Sequence, residues 1–183
     1  MIILASNSPR RRELLQLTGL EYIVKVADCD ETSVHTDPEK MAMEIALKKA
    51  TAVACDENDI VIGADTIVVI DGKALGKPKD REDAKAMMRA LSGRVHSVYT
   101  GVCVRNKGTD HCFCSKTDVK FYDLDESTIE WYVSTGEPMD KAGSYGIQGK
   151  GALLVEKING DYYNVVGLPI ARVNHKLREL IGC

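Results

Sequence analysis

The chain has 183 residues, of which 44% are hydrophobic and 28% charged, a balance that fits one soluble globular domain over residues 1–183 and excludes extensive disorder. Twenty-four lysines and arginines against 27 aspartates and glutamates leave a net charge of -3. A general nucleic-acid-coating surface is thereby excluded, and any polyphosphate must be held by local cations. No apolar run approaches a membrane span, and MIILAS lacks the charged flank, long apolar segment and cleavage site of a signal peptide. The expectation is a cytoplasmic protein with neither a nucleic-acid nor a membrane partner. Its six cysteines (Cys29, Cys55, Cys103, Cys112, Cys114 and Cys183) follow no disulfide framework and read as reduced. His111, Cys112 and Cys114 suggest a soft metal site, but without a second ligand pair at finger-like spacing the alternation of a strand explains them better.

In chain order, residues 1–5 read as a short buried strand running into Ser6-Asn7-Ser8-Pro9-Arg10-Arg11-Arg12. Ser8 suits an N-cap and Pro9 the first helical position. Leu14, Leu15 and Leu17 supply apolar spacing, and Gly19 the stop. Arginines in a first turn oppose the helix dipole, so the turn is either an anion site or a solvated basic surface. A strand over residues 22–26 leads to Asp28, Asp30 and Glu31, oxygen ligands for a hard cation or solvated loop charges. Asp37-Pro38 opens a helix to about residue 54 with Met41, Ala42, Ile45 and Ala46 inward. Lys48 and Lys49 lie near its far end, one of them able to face a cleft.

Residues 60–77, IVIGADTIVVIDGKALGK, place Asp65 and Thr66 between six branched apolar residues. A carboxylate in such a run needs a partner, a metal or a chemical task. Asp71-Gly72 signals a hairpin, which makes Lys77 on the return a candidate to approach Asp65 or else a plain strand-end lysine. Asp80 caps a helix with Ala84, Met87, Met88 and Leu91 inward. Residues 96–105 and 111–122 pair across a turn, and Asp125 caps a helix holding Ile129, Trp131 and Tyr132.

The glycine-dense stretch Asp140-Lys141-Ala142-Gly143-Ser144-Tyr145-Gly146-Ile147-Gln148-Gly149-Lys150-Gly151 predicts a loop of close backbone approach. Its spacing is not that of a Walker A loop. The amide of Gln148 offers a donor and an acceptor together, matching a pyrimidine edge, or is simply a surface glutamine. Strands over residues 153–158 and 161–165 flank Asn159-Gly160, and Gly167-Leu168-Pro169 opens a closing helix to residue 181. Strands alternating with helices, plus two hairpins, indicate an α/β fold with a mixed sheet.

Taken together, LASNSPRRRELL, ETSVHTDPEK with KKA, VIGADTIVV, LGKPKD, LSGRVHSVYTGV, EPMDKAGSYGIQGKGALL and INGDYYNVVGLPI resemble the Maf family of nucleoside triphosphate pyrophosphatases, nearly end to end. The resemblance implies an elongated α/β fold like that of inosine-triphosphate pyrophosphatase, with a mixed central sheet, flanking helices and two lobes around a cleft. It implies Asp65 as proton acceptor, Ser8, Arg10 and Arg11 as the phosphate-binding turn, and Glu31, Lys48 and Lys77 around the triphosphate and metal. Arg10, Thr66 and Gln148 look like the branch acting on dTTP and UTP.

The implied reaction splits the bond between the α and β phosphates, with Glu31 and Asp65 holding Mg²⁺ or Mn²⁺ and Arg11, Lys48 and Lys77 neutralising charge. A homodimer is the expected assembly. Two other readings compete: a non-catalytic nucleotide sensor in division control, and a pyrophosphatase directed at 7-methyl-GTP. A sensor needs no water-activating carboxylate, and Arg10 and Gln148 disfavour the second.

Overall fold

A computed structural model describes residues 1–182; Cys183 lies outside the described residues. In chain order it contains β1 (Ile2–Leu4), α1 (Pro9–Gln16), β2 (Tyr22–Val24), α2 (Pro38–Ala52), β3 (Ile60–Ile70), β4 (Lys73–Leu75), α3 (Arg81–Leu91), β5 (Val95–Asn106), β6 (Thr109–Phe121), α4 (Glu126–Ser134), β7 (Val155–Asn159), α5 (Tyr162–Val166) and α6 (Ile170–Ile181). The strands form one seven-stranded sheet in the order β2-β1-β3-β5-β6-β7, with β4 paired to β3. Strand β1 runs parallel to β2 and β3, whereas β3–β4 and β6–β7 are antiparallel, so the sheet is mixed as expected. Asp71 and Gly72 take left-handed φ values of 51° and 72° and close the β3–β4 hairpin.

Chain contacts divide the fold into two units. The first comprises Met1–Thr66, Thr100–Ser115 and the stretch from Gly167 onward; the second comprises Ile67–Tyr99 and Lys116–Val166. In the first unit α2 covers β1 and β3, burying Ala46, Ala50 and Val53 against Ile3, Ala5, Val61 and Cys103. Two glycines set how closely the helix approaches. A Cβ on Gly63 would sit 2.2 Å from the Ala46 carbonyl oxygen, and one on Gly101 2.2 Å from the Ala42 carbonyl carbon. Any larger residue would push α2 off the sheet.

The second unit has its own core, in which Met88, Leu91, Phe121, Ile129, Tyr132, Tyr145 and Leu154 pack together. Asp80 and Asp125 cap α3 and α4 as predicted, accepting from the Asp83 and Thr128 amides. One predicted strand is wrong. Residues 161–165 were expected to be extended, but Tyr162–Val166 is helix α5. The Asp161 carboxylate accepts from the Tyr163 amide at 2.8 Å, and the buried Asn164 amide donates to the Val98 carbonyl and to Thr117 Oγ1. These bonds outweigh the extended preference of the tyrosines and valines.

His96 lies in this second core, 2% exposed, with Nε2 2.7 Å from the Tyr145 hydroxyl and its ring edge-on to Phe121 and Tyr145. Burial lowers its pKa from 6.5 to about 4, with Asp118 opposing. Between those values the unfolded chain binds the proton and the folded chain does not, so stability is full above pH 6.5 and falls as the pH drops toward 4. The gap corresponds to about 3 kcal/mol. Urea titrations from pH 7.5 to 4.5 should show this loss in the parent protein and a smaller slope in His96→Phe, even if that variant is less stable throughout; equal slopes would exclude His96 as the titrating group.

Candidate active site

Asp65 sits in β3, where the alternation of a mostly buried strand leaves its carboxylate only 14% exposed. Its Oδ1 lies 2.7 Å from Lys49 Nζ, which is also 3.1 Å from Glu31 Oε2. The helix explains why Lys49 arrives there. The buried face of α2 carries Ala42, Ile45, Ala46 and Ala50, and Lys49 lies four residues after Ile45 and three after Ala46, on the same stripe. Lys48 is turned away by one residue step. Its ammonium is 3.0 Å from Glu44 and 3.7 Å from Asp30, and it donates to the Thr32 carbonyl at 2.8 Å. The Glu44 hydrogen bond raises its pKa. Lys49 therefore occupies the position beside Asp65, on a stripe already visible in the spacing from Ile45 and Ala46, while Lys48, expected around the triphosphate, meets Glu44, Asp30 and Thr32.

Helix α1 starts at Pro9 with Ser8 in the cap position, as predicted, but the Ser8 side chain makes no cap hydrogen bond; its amide donates to Ser6 Oγ at 3.3 Å. Arg11 is fastened on three sides. Its Nε donates to the Gly167 carbonyl at 2.8 Å, Nη1 to Ser6 Oγ at 3.2 Å and Nη2 to Thr66 Oγ1 at 3.1 Å. Burial lowers the Arg11 pKa, while nearby Asp65 acts in the opposite direction. The guanidinium nonetheless stays charged. Thr66 Oγ1 is also 3.0 Å from Thr100 Oγ1 on β5, a partner that sequence reasoning missed because nothing in a lone threonine marks which strand it faces. Arg10, on the same turn, makes no side-chain ion pair or hydrogen bond among the described residues.

Lys77 and Gln148 belong to the second unit. Lys77 is exposed beyond the β4 strand, and its side chain is unpaired among the described residues. Gln148 is exposed at the start of a short 3₁₀ turn, Gly149–Leu154, and makes no capping bond. The loop that presents it is anchored from within its own unit. Gly143 has φ 66° and lies so close to Val68 that a Cβ would meet it at 2.8 Å, while its amide donates to the Gly76 carbonyl. Tyr145 and Ile147 are buried on either side of Gly146.

As a metal site, Asp65 and Glu31 offer hard carboxylate oxygens on either side of one ammonium, which fits a divalent cation completed by phosphate oxygens and water. Among the described residues no group of three or more His, Cys, Asp or Glu side chains is placed to hold a metal, so the protein would supply these two carboxylates alone.

Residues 1–180 match the family described as Maf-like protein. A dTTP/UTP pyrophosphatase of Bacillus cytotoxicus is 52% identical over 179 residues, covering 97% of this chain and 94% of that protein. A dTTP/UTP pyrophosphatase of Bacillus cereus (strain G9842) is 49% identical over 180 residues at the same coverage. Among solved structures, the Staphylococcus aureus Ham1 protein superposes with a TM-score of 0.58 at 15% identity, covering 97% of this chain and 98% of its own; a HAM1 protein from Coxiella burnetii gives 0.52 with the same identity and coverage. Those two similarities show a shared fold. The match along nearly the whole chain, with relatives sharing about half of its residues, establishes that the protein belongs to the Maf family.

Proposed function

We propose that the protein is a nucleoside triphosphate pyrophosphatase acting on dTTP and UTP, hydrolysing the α–β phosphate bond to give the monophosphate and pyrophosphate. The observation that carries this reading is the arrangement of Glu31, Lys49 and Asp65 within one unit that also holds the arginine-bearing turn. The names of the two Bacillus relatives support the choice of pyrimidine substrates.

Asp65 orients a water and takes its proton through the oxygen that Lys49 leaves free. Lys49 fixes the carboxylate rotamer and supplies positive charge beside it. The turn at Ser8 and Arg10 binds phosphate, with Arg10 the available guanidinium, while Arg11 is held rigid by Ser6, Thr66 and Gly167 and adds charge without reorganising. Lys77 neutralises further phosphate charge, and Gln148 reads the base edge. A divalent cation, Mg²⁺ or Mn²⁺, held by Glu31 and Asp65 would spread phosphate charge.

Asp65→Asn should fold yet release no pyrophosphate. Lys49→Met should lower kcat by about 100-fold, the scale of losing one pre-aimed charge, whereas Lys48→Met should stay within about threefold because its partners are Glu44, Asp30 and the Thr32 carbonyl rather than Asp65. A larger loss at Lys48 than at Lys49 would refute the placement of the catalytic cation.

Pyrophosphate release from UTP, dTTP, CTP, GTP and 7-methyl-GTP, with Mg²⁺, Mn²⁺ or a chelator, tests the whole assignment. UTP and dTTP should turn over fastest and the chelator should stop turnover; preference for 7-methyl-GTP, or no release from any substrate, would overturn it. Gln148→Ala should lower the preference for UTP over GTP by about tenfold to a hundredfold, the cost of one lost bidentate base contact.

A further inference from the structure

The first unit holds a pair of cysteines that the proposed reaction does not use. Strands β5 and β6 are joined by Lys107 and Gly108 alone, both with left-handed φ (49° and 74°), so Asn106 faces Thr109 and each earlier residue of β5 faces the matching later residue of β6. That register puts Arg105 opposite Asp110, and their 3.6 Å ion pair agrees with it. Farther along the same ladder, Ser97 donates to Asp118 at 2.7 Å and Lys116 lies over the Tyr99 ring, as the same register requires. Cys103 therefore stands directly opposite Cys112.

The type of pair matters. Residues flanking a two-residue turn form a hydrogen-bonded pair, and the pairs alternate from there. Counting back from Asn106 and Thr109, Cys103 and Cys112 fall on a non-hydrogen-bonded pair. Such pairs have Cα atoms about 4.5 Å apart with side chains on one face, inside the roughly 4.4 to 6.8 Å that a disulfide spans. The two thiols already interact, which raises the pKa of Cys103 and lowers that of Cys112.

We infer that Cys103 and Cys112 form a peroxide-sensitive dithiol that closes to a disulfide across the β5–β6 hairpin. Cys112 is the attacking thiol. It is exposed, it borders a surface cavity of about 420 Å³ lined also by His111, Arg172 and His175, and the hydrogen bond from Cys103 lowers its pKa. Cys103 is buried in the core beside Ala46 and Val61, out of reach of peroxide in solvent yet directly opposite Cys112 on the ladder, so it suits the resolving role.

In the first step Cys112 sulfur attacks a peroxide oxygen, the O–O bond breaks, and the protein keeps a sulfenic acid while water leaves. In the second, Cys103 sulfur attacks the Cys112 sulfur, the S–O bond breaks, and a second water departs with the Cys103 proton. Two thiols are oxidised by two electrons and one hydrogen peroxide is reduced to two waters.

The neighbouring Cys114 is a poorer partner. It lies two residues along the same strand, about 6.5 to 7 Å from Cys112 with a parallel side chain. Burial also pushes its thiol up to about 12.

Purified protein treated with hydrogen peroxide should lose two hydrogens in intact mass, regain them with a thiol reductant, and yield a peptide joining Cys103 to Cys112 on non-reducing digestion. Cys112→Ser, an exposed substitution, should abolish the joined peptide. Cys103→Ser should instead leave Cys112 open to capture by dimedone; the parent protein labelled in brief peroxide pulses gives the same readout should that buried variant fold poorly. Linkage of Cys112 to Cys114, or oxidation of Cys112 to sulfinic acid in the parent protein without any joined peptide, would overturn the inference. The readout is a mass, so it stands or falls independently of the nucleotide substrate.

Discussion

The distance between helix α2 and the sheet is the constraint on which the candidate active site depends. Gly63 and Gly101 remove the Cβ atoms that would otherwise meet the helix backbone, and the alanines at 42, 46 and 50 remove bulk from the other side. Only with the backbones this near can a lysine on the inner stripe of α2 bond to Asp65 at 2.7 Å rather than snorkel to solvent. The ion pair is largely shielded from water, so its geometry is held more firmly than that of the surface pairs elsewhere on the molecule. A packing decision made by glycine and alanine thus becomes an electrostatic one at the carboxylate.

The arginine-rich turn divides its labour in a way that residue type alone hides. Arg11 spends its three kinds of nitrogen on Gly167, Ser6 and Thr66, tying α1 to β3 and to the segment that leads into α6. A guanidinium held so has lost its rotamer entropy before any anion arrives, which is how a charge becomes pre-aimed rather than merely present. Arg10 carries no such ties and keeps its donors available. Thr66 is likewise first a connector, sharing its hydroxyl between Arg11 and Thr100, so a change there would disturb the arginine before it altered any contact with a base.

Much of this was legible in the sequence because local rules and tertiary packing agree. The apolar run around Asp65, the Asp71-Gly72 hairpin, the aspartate caps and the mixed sheet each follow from short-range chemistry. What the sequence left open or misread turned on direction or on distant partners. Lys48 and Lys49 are neighbours of identical chemistry, and only the 3.6-residue period extended from Ile45 separates the one at Asp65 from the one at Glu44. The helix over Tyr162–Val166 was missed because the sequence favours a strand until Asn164 is seen bonding to Val98 and Thr117, residues far away in the chain. Thr100 had no local signal at all.

The glycine loop shows how a flexible composition can produce a fixed presentation. Its glycines are not spread for mobility: Gly143 is wedged against Val68, and Gly151 lies so near the Gly146 carbonyl that no side chain would fit. Tyr145 is locked into an edge-to-face cluster with His96 and Phe121, the ring centroids 4.7 to 5.2 Å apart. With Tyr145 and Ile147 both committed to the interior, the bend at Ile147 and Gln148 leaves the Gln148 side chain exposed. The side chain proposed to choose the base is therefore aimed by aromatic packing and by backbone approach, and the neutral state of His96 is part of what keeps that packing intact.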